Sequence, residues 1–199
     1  MPPPSVRPAA ASDLMAMWRL VELCLPCHEV VGAATFQPAG AESLAADWER
    51  WVREIYGPLL RPSINSLQEA ASRQDLPDLL RRDAMLGECL PANAARESLS
   101  VGRRALLDFT PPQGAKLLER LRHAAAEKIA SGHLATVFAV RAHLFHLPGV
   151  QVAQALLLAE CILGAGSNGV TLPAPRVSEL LELALRQLSA SPSLQVMAV

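Results

Sequence analysis

The stretch 95-ARESLSVGRRALLDF-109 decides how this chain folds. Ala95, Ser98, Gly102, Ala105 and Phe109 recur at intervals of three and four, so a helix here lines one face with small side chains. Glycine inside a helix costs about 1 kcal/mol relative to alanine. Gly102 therefore calls for a neighbouring helix whose backbone comes unusually close. Arg96, Arg103 and Arg104 fall on other faces, where they read as a solvated surface or, with Glu97, as a docking patch. Pro111-Pro112 terminates the helix, and Asn93 is its expected N-cap.

Working outward, the same periodicity persists. Leu14, Trp18, Val21 and Leu25 form an amphipathic stripe closed by Pro26; Leu44, Trp48, Trp51, Val52 and Ile55 form a second, ended by Gly57-Pro58. Shorter helices are expected near 63–72 and 76–89, the latter capped by Asp75, and a longer one over 113–130. Gly132 opens LATVFAVRAHLF, apolar on nearly every side up to Pro148, as a helix in the middle of a bundle would be. Helices over 150–164 and 176–189 follow, separated by the loop 164-GAGSNGVTLPAP-175. β-branched runs are rare, and no internal repeat or interdomain linker shows. The expectation is an all-α protein, a single compact bundle of about eight to ten helices over residues 13–189, with a disordered segment at 1–12 and a flexible tail at 190–199.

With 51% apolar and 19% charged residues among 199, the chain can bury a sizeable core. Lys+Arg 18 against Asp+Glu 19 leave a net charge of −1, and Lys116 and Lys128 are the only lysines, which argues against a nucleic-acid partner. The N-terminus, MPPPSVRPAAASDLMAMWRL, lacks the pattern of a secretory signal. Between Leu134 and Leu163, Arg141, His143, His146, Pro148 and Glu160 interrupt what would have to be about 20 continuous apolar residues, so no membrane span is expected. A reducing, cytoplasmic location follows as the expectation.

Three patterns hint at chemistry. The segment 24-CLPCH-28 spells the Cys-x-x-Cys-His of c-type haem attachment. Its preceding residues read as helix, which a thioredoxin-like site would not allow, and the other cysteines, Cys89 and Cys161, are single and remote, which disfavours zinc. Cys24, Cys27 and His28 are therefore read as core or helix-end residues, with a thiol or haem role as the remote alternative. His143 and His146 stand one helical turn apart, able to chelate a divalent ion, yet no carboxylate occupies a helical partner position; packing is preferred and no metal site is assigned. The glycines of 164-GAGSNG-169 follow a helix instead of a strand, so they fail as a dinucleotide loop. No motif names a catalytic residue or a cofactor.

A family comes into view at the opening segment. Glu97-Ser98-Leu99-x-x-Gly102-Arg103-x-x-Leu106-Leu107 resembles the central helix of UreF, the urease accessory protein family. Gly132-His133-x-x-x-Val137-Phe138 resembles that family's Gly-His-x-x-x-Val helix start, and 147-LPGVQVAQALLLAE-160 its Leu-Gly-x-Pro-type turn and apolar helix. Glu42-Ser43-Leu44 with Trp48 and Trp51-Val52 is similar to its second-helix region, so the likeness spans about residues 28–185. The chain departs from the family at both flanks. A Pro-x-Gly-x-Phe segment is replaced by 18-WRLVELCLPCHE-29, keeping at most the final acid at Glu29. The Ala-Ala-Val-Arg-Leu pattern reads 168-NGVTL-172, with Thr171 where an arginine is usual, and the following Gly-Gln is lost in Pro173–Arg176.

The resemblance implies an all-helical protein that is not an enzyme and holds no cofactor. It would be a scaffold and regulator that binds the accessory proteins UreD (UreH) and UreG and helps deliver nickel to apo-urease. UreF-like proteins often form homodimers, so a homodimer joins the expected partners; nucleic acid and membrane do not. Arg96, Glu97, Arg103 and Arg104 are the expected contact surface, and Ala95, Ser98, Gly102 and Ala105 the expected packing face. The alternative is a divergent helical adaptor or chaperone for another metalloenzyme or complex.

Overall fold

The computed structural model describes residues 11–25, 35–107, 111 and 113–190. Among them the chain is all-helical: α1 (Ala11–Cys24), α2 (Leu44–Trp51), a π-helical segment (Val52–Leu60), α3 (Arg61–Ser72), α4 (Leu76–Cys89), α5 (Ala92–Leu107), α6 (Lys116–Ala126), α7 (Leu134–Leu144), α8 (Gly149–Ser167) and α9 (Ala174–Ala190). The flanks expected at 1–12 and 190–199 lie outside the described residues except for Ala11, Ser12 and Ala190, which are helical. Phe109, Pro112, Cys27 and His28 also lie outside them.

α7 is the axle of the bundle. Every residue from Leu134 to Ala142 is buried, and α1, α3, α5, α6 and α8 all pack against it. An apolar surface on all sides leaves such a helix stable only inside other helices. Its two buried polar residues find partners there. Thr136 donates to Asp83 of α4 at 2.7 Å, and the Arg141 guanidinium reaches the Leu23 carbonyl near the end of α1 at 3.3 and 3.4 Å. α8 is the one described helix whose length and composition would suffice to cross a membrane, but 67% of its apolar window is buried inside the bundle.

A chain of aromatic rings ties α2 to the far side. Phe36 meets Trp48 edge-on at 4.9 Å, Trp48 stacks on Trp51 at 5.0 Å, and Tyr56 follows at 5.6 Å. Their polar tips bond to neighbouring backbones: Trp48 Nε1 donates to Leu180 O at 2.7 Å and the Tyr56 hydroxyl to Ala153 O at 2.6 Å.

Several boundaries differ from the sequence reading for identifiable reasons. Gly57-Pro58 does not end the second helix; α2, the π-helical segment and α3 run on continuously. A proline in an α-helix would press its ring on the carbonyl four residues back. The wider π turn relieves that clash, and the Arg61 N–H donates five residues back, to Tyr56 O. Asp75 does cap α4, accepting from Asp78 N at 3.0 Å. Asn93 is not a cap, because α5 has already begun at Ala92 behind Pro91.

Gly164, Ala165 and Gly166 belong to α8, not to a loop. α3, α6 and α7 close without glycine: Gln74, Lys128 and His146 take the left-handed conformation, with φ of 56°, 62° and 54°. With no glycine at these positions to mark them, α6 and α7 end earlier than the sequence pattern suggests.

A polar pivot at the start of α7 and the charged face above it

The packing face of α5 meets the N-terminus of α7, not the side of a helix. A Cβ on Gly102 would lie 2.2 Å from Gly132 O, 2.5 Å from Leu134 N and 2.6 Å from His133 C. Only a hydrogen fits there. Ser98, fully buried one turn earlier, accepts from Leu134 N at 3.2 Å. Ala105 is buried on the same face and Ala95 half-buried. Gly132 holds φ at +78°, which turns the chain into α7.

From the other side comes Asp83 of α4, with no exposure to solvent. One carboxylate oxygen accepts from Gly132 N at 2.6 Å; the other accepts from His133 N at 3.0 Å and from the Thr136 hydroxyl at 2.7 Å. The first amides of a helix have no partner inside it. Here Ser98 satisfies the amide of Leu134, the first residue of α7, and Asp83 those of Gly132 and His133 just before it. The negative charge also sits at the positive end of the α7 dipole. Gly87, one turn after Asp83, gives the His133 ring its place: a Cβ there would lie 2.5 Å from Nε2. Burial holds the His133 imidazole below its usual pKa, against the pull of the Asp83 charge, and His133 Nδ1 is buried without a partner. Sequence reading missed Asp83 altogether. The signal was an acid inside the apolar stripe Leu79, Asp83, Leu86 of α4.

The opposite face of α5 carries the charged residues. Arg96 is 75% exposed and pairs at 3.2 Å with Glu97, which is half-buried and not on the fully exposed face expected of it; Arg104 is exposed two turns on. Arg103 departs from the expected exposed face. Half-buried, its Nη2 donates to Ala125 O at 2.9 Å while Arg122 of α6 donates to Leu107 O at 3.1 Å. Each arginine serves a carbonyl near the C-terminal end of the other's helix. Arg103 thus holds α5 to α6.

A second buried carboxylate, Glu160 of α8, accepts from Phe36 N at 3.1 Å. Burial pushes its pKa up to about 7, only partly opposed by that hydrogen bond. Elsewhere, a hollow of about 310 Å³ opens between the π-helical segment and α8–α9 beside Tyr56 and Arg61, and an apolar groove of about 450 Å³ runs between α4 and α6 beside Leu80 and Ile129. Cys24 is buried at the end of α1. Among the described residues no three histidine, cysteine or acidic side chains gather as a metal site.

Fold and geometry together define a class: an all-helical protein whose buried polar groups secure helix to helix. The UreF family model matches residues 39–163, well over half of the chain, and the chain belongs to the UreF family. That is a family of urease accessory proteins, not of enzymes, and membership implies interaction with other urease accessory proteins. The chain has no significant match among curated proteins or among solved structures.

Substitutions at the buried carboxylates and on the packing face of α5 test this arrangement. Asp83→Ala leaves two amides and a hydroxyl unsatisfied, and Gly102→Ala forces a Cβ against backbone. Each should cost about 3 kcal/mol or more in urea unfolding, whereas Ala95→Gly on the same face should cost only about 1 kcal/mol. For Glu160 the folded pKa lies above the unfolded value of 4.5. Its contribution is therefore complete below about pH 4.5, is lost as pH rises towards 7, and is level beyond; the loss is about 3 kcal/mol. Glu160→Gln should remove that part of the slope between pH 5 and pH 8, and equal slopes in both proteins would contradict it.

Proposed function

We propose that this chain is a urease maturation factor, a scaffold and regulator that assembles with UreD (UreH) and UreG on apo-urease for nickel insertion. Nickel insertion and GTP hydrolysis belong to its neighbours in that assembly. The observation carrying this reading is the family match over residues 39–163. The matched span contains both halves of the α5–α7 contact, Ser98–Gly102 and Gly132–Leu134. The working domain is residues 13–189, acting in the cytoplasm, alone or as a homodimer. The α5 face bearing the exposed Arg96 and Arg104, with the half-buried Glu97 beside them, is the proposed contact surface, part of an interface of at least ~1,000 Å².

The match ends at residue 163, and the departures from the family pattern lie at the flanks. This favours a second reading, in which the fold is kept and the client is another metalloenzyme or complex. For the remote thiol or haem reading, Cys24 is buried while Cys27 and His28 lie outside the described residues. A colourless, metal-free preparation would end that reading.

Co-purification from cells expressing urease and its accessory proteins tests the proposal. The tagged chain should retain UreD or UreG. Arg96→Glu with Arg104→Glu should lower retention at least about tenfold, or about 1.4 kcal/mol, without changing the melting temperature. Arg103 is left intact because its guanidinium holds α6. Loss of neither partner in the double variant would remove the surface from the account. Absence of both partners from the wild-type eluate, each verified in the lysate, would reject the urease client.

A further inference from the structure

The hollow of about 310 Å³ beside the aromatic chain draws its walls from four elements: the π-helical segment, α3, α8 and α9. Tyr56, Leu157, Leu185 and Leu188 make its apolar side. Gly57 lets α9 close that side, since a Cβ there would stand 3.3 Å from Leu188 Cδ2. A π turn widens a helix locally, and such turns recur at functional sites. The volume is that of a small ligand pocket.

A single charge borders the hollow. Arg61, exposed at the start of α3, is the one charged residue lining it, and among the described residues its guanidinium has no ion pair or hydrogen bond. Its charge is felt at the Tyr56 hydroxyl, where it pulls the pKa down against the larger rise caused by burial. That hydroxyl already gives its proton to Ala153 O at 2.6 Å. The apolar side therefore offers a ligand no donor and suits hydrocarbon, while the donors stand at the rim. Asn65, one turn on from Arg61, lines the same rim. α8 starts close by at Gly149 with no side-chain cap, and Val150 of its first turn also lines the hollow, so the positive end of a helix dipole faces this region.

We infer that the hollow is a binding site for a small amphipathic monocarboxylate, with its apolar tail against Tyr56, Leu157, Leu185 and Leu188 and its carboxylate on Arg61. The planar fork of a guanidinium matches a carboxylate. One positive charge balances a monoanion; a phosphate dianion would keep a charge uncompensated, and a neutral hydrocarbon would leave the guanidinium without a partner. Leu185 and Leu188 lie beyond residues 39–163, so the site depends on this chain's α9 and does not follow from the family match. A bound ligand ties α9 to the π-helical segment and α8. The inference is independent of the urease reading. A chain that recruits UreD or UreG yet binds no carboxylate would lose the site and keep the proposed function.

Titration of the full chain followed by NMR tests it, using octanoate, octanol (the tail without the charge) and acetate (the charge without the tail). Octanoate should bind once per chain with a Kd of about 0.1–1 mM, and the other two at least about tenfold more weakly. Arg61→Gln should weaken octanoate at least about tenfold and abolish its advantage over octanol. Tyr56 is the chain's one tyrosine, so its ring signals report on the hollow without any variant. Octanoate methylene protons should show cross-relaxation with that ring in the wild type. No octanoate binding in that range, equal affinity for octanol, wild-type binding by Arg61→Gln, or bound octanoate without contact to the Tyr56 ring would overturn the site.

Discussion

The contact on which the bundle depends is a carboxylate set against the start of its central helix. α7 has no wet side, so the amides at its N-terminus cannot turn to water. An unsatisfied buried amide costs about 1–3 kcal/mol, and three would consume much of a domain's stability of about 5–15 kcal/mol. Asp83 and Ser98 remove that cost from opposite sides, α4 and α5. Burying the Asp83 charge is itself expensive, several kcal/mol for an isolated ion, and is offset by its three donors and the helix dipole. Gly102 then brings α5 close enough for the Ser98 bond to form. Remove one member and the others lose their geometry.

Once the buried acid, hydroxyl and glycines are committed to helix–helix contacts, the outer face of α5, with the exposed Arg96 and Arg104 and the half-buried Glu97, is the surface proposed for partners. Two of the segments that carry the family likeness, Glu97–Leu107 and Gly132–Phe138, are the two sides of one joint. In the proposed scaffold role such a joint matters, because partners read a surface only as rigid as the helices beneath it. Glu160 performs a looser version of the same task, securing residue 36 to α8 at a cost that grows as it ionises.

Much of this was legible in the sequence because it follows from local pattern. The 3–4 spacing gave the helices, the apolar circumference of 134–145 gave the buried axle, and the lone glycine at 102 gave the close approach. What escaped was non-local or lacked its usual residue. Asp83 reads as an ordinary acid until one asks why it interrupts an apolar stripe, and its partners are some 50 residues away. Pro58 reads as a stop because proline usually is one; the π turn that absorbs it has no sequence signature. The left-handed ends at Lys128 and His146 carry no glycine, so those helices looked longer than they are. Arg103 looked exposed because helical spacing cannot see that α6 turns back beneath it.

Native-state hydrogen exchange at the amides of Gly132, His133 and Leu134 probes the central contact most directly. If Asp83 and Ser98 hold the start of α7 as described, these three amides exchange only when the whole protein unfolds, with the same free energy as the interior amides of α7. Exchange through a local opening several kcal/mol cheaper than global unfolding would contradict the account.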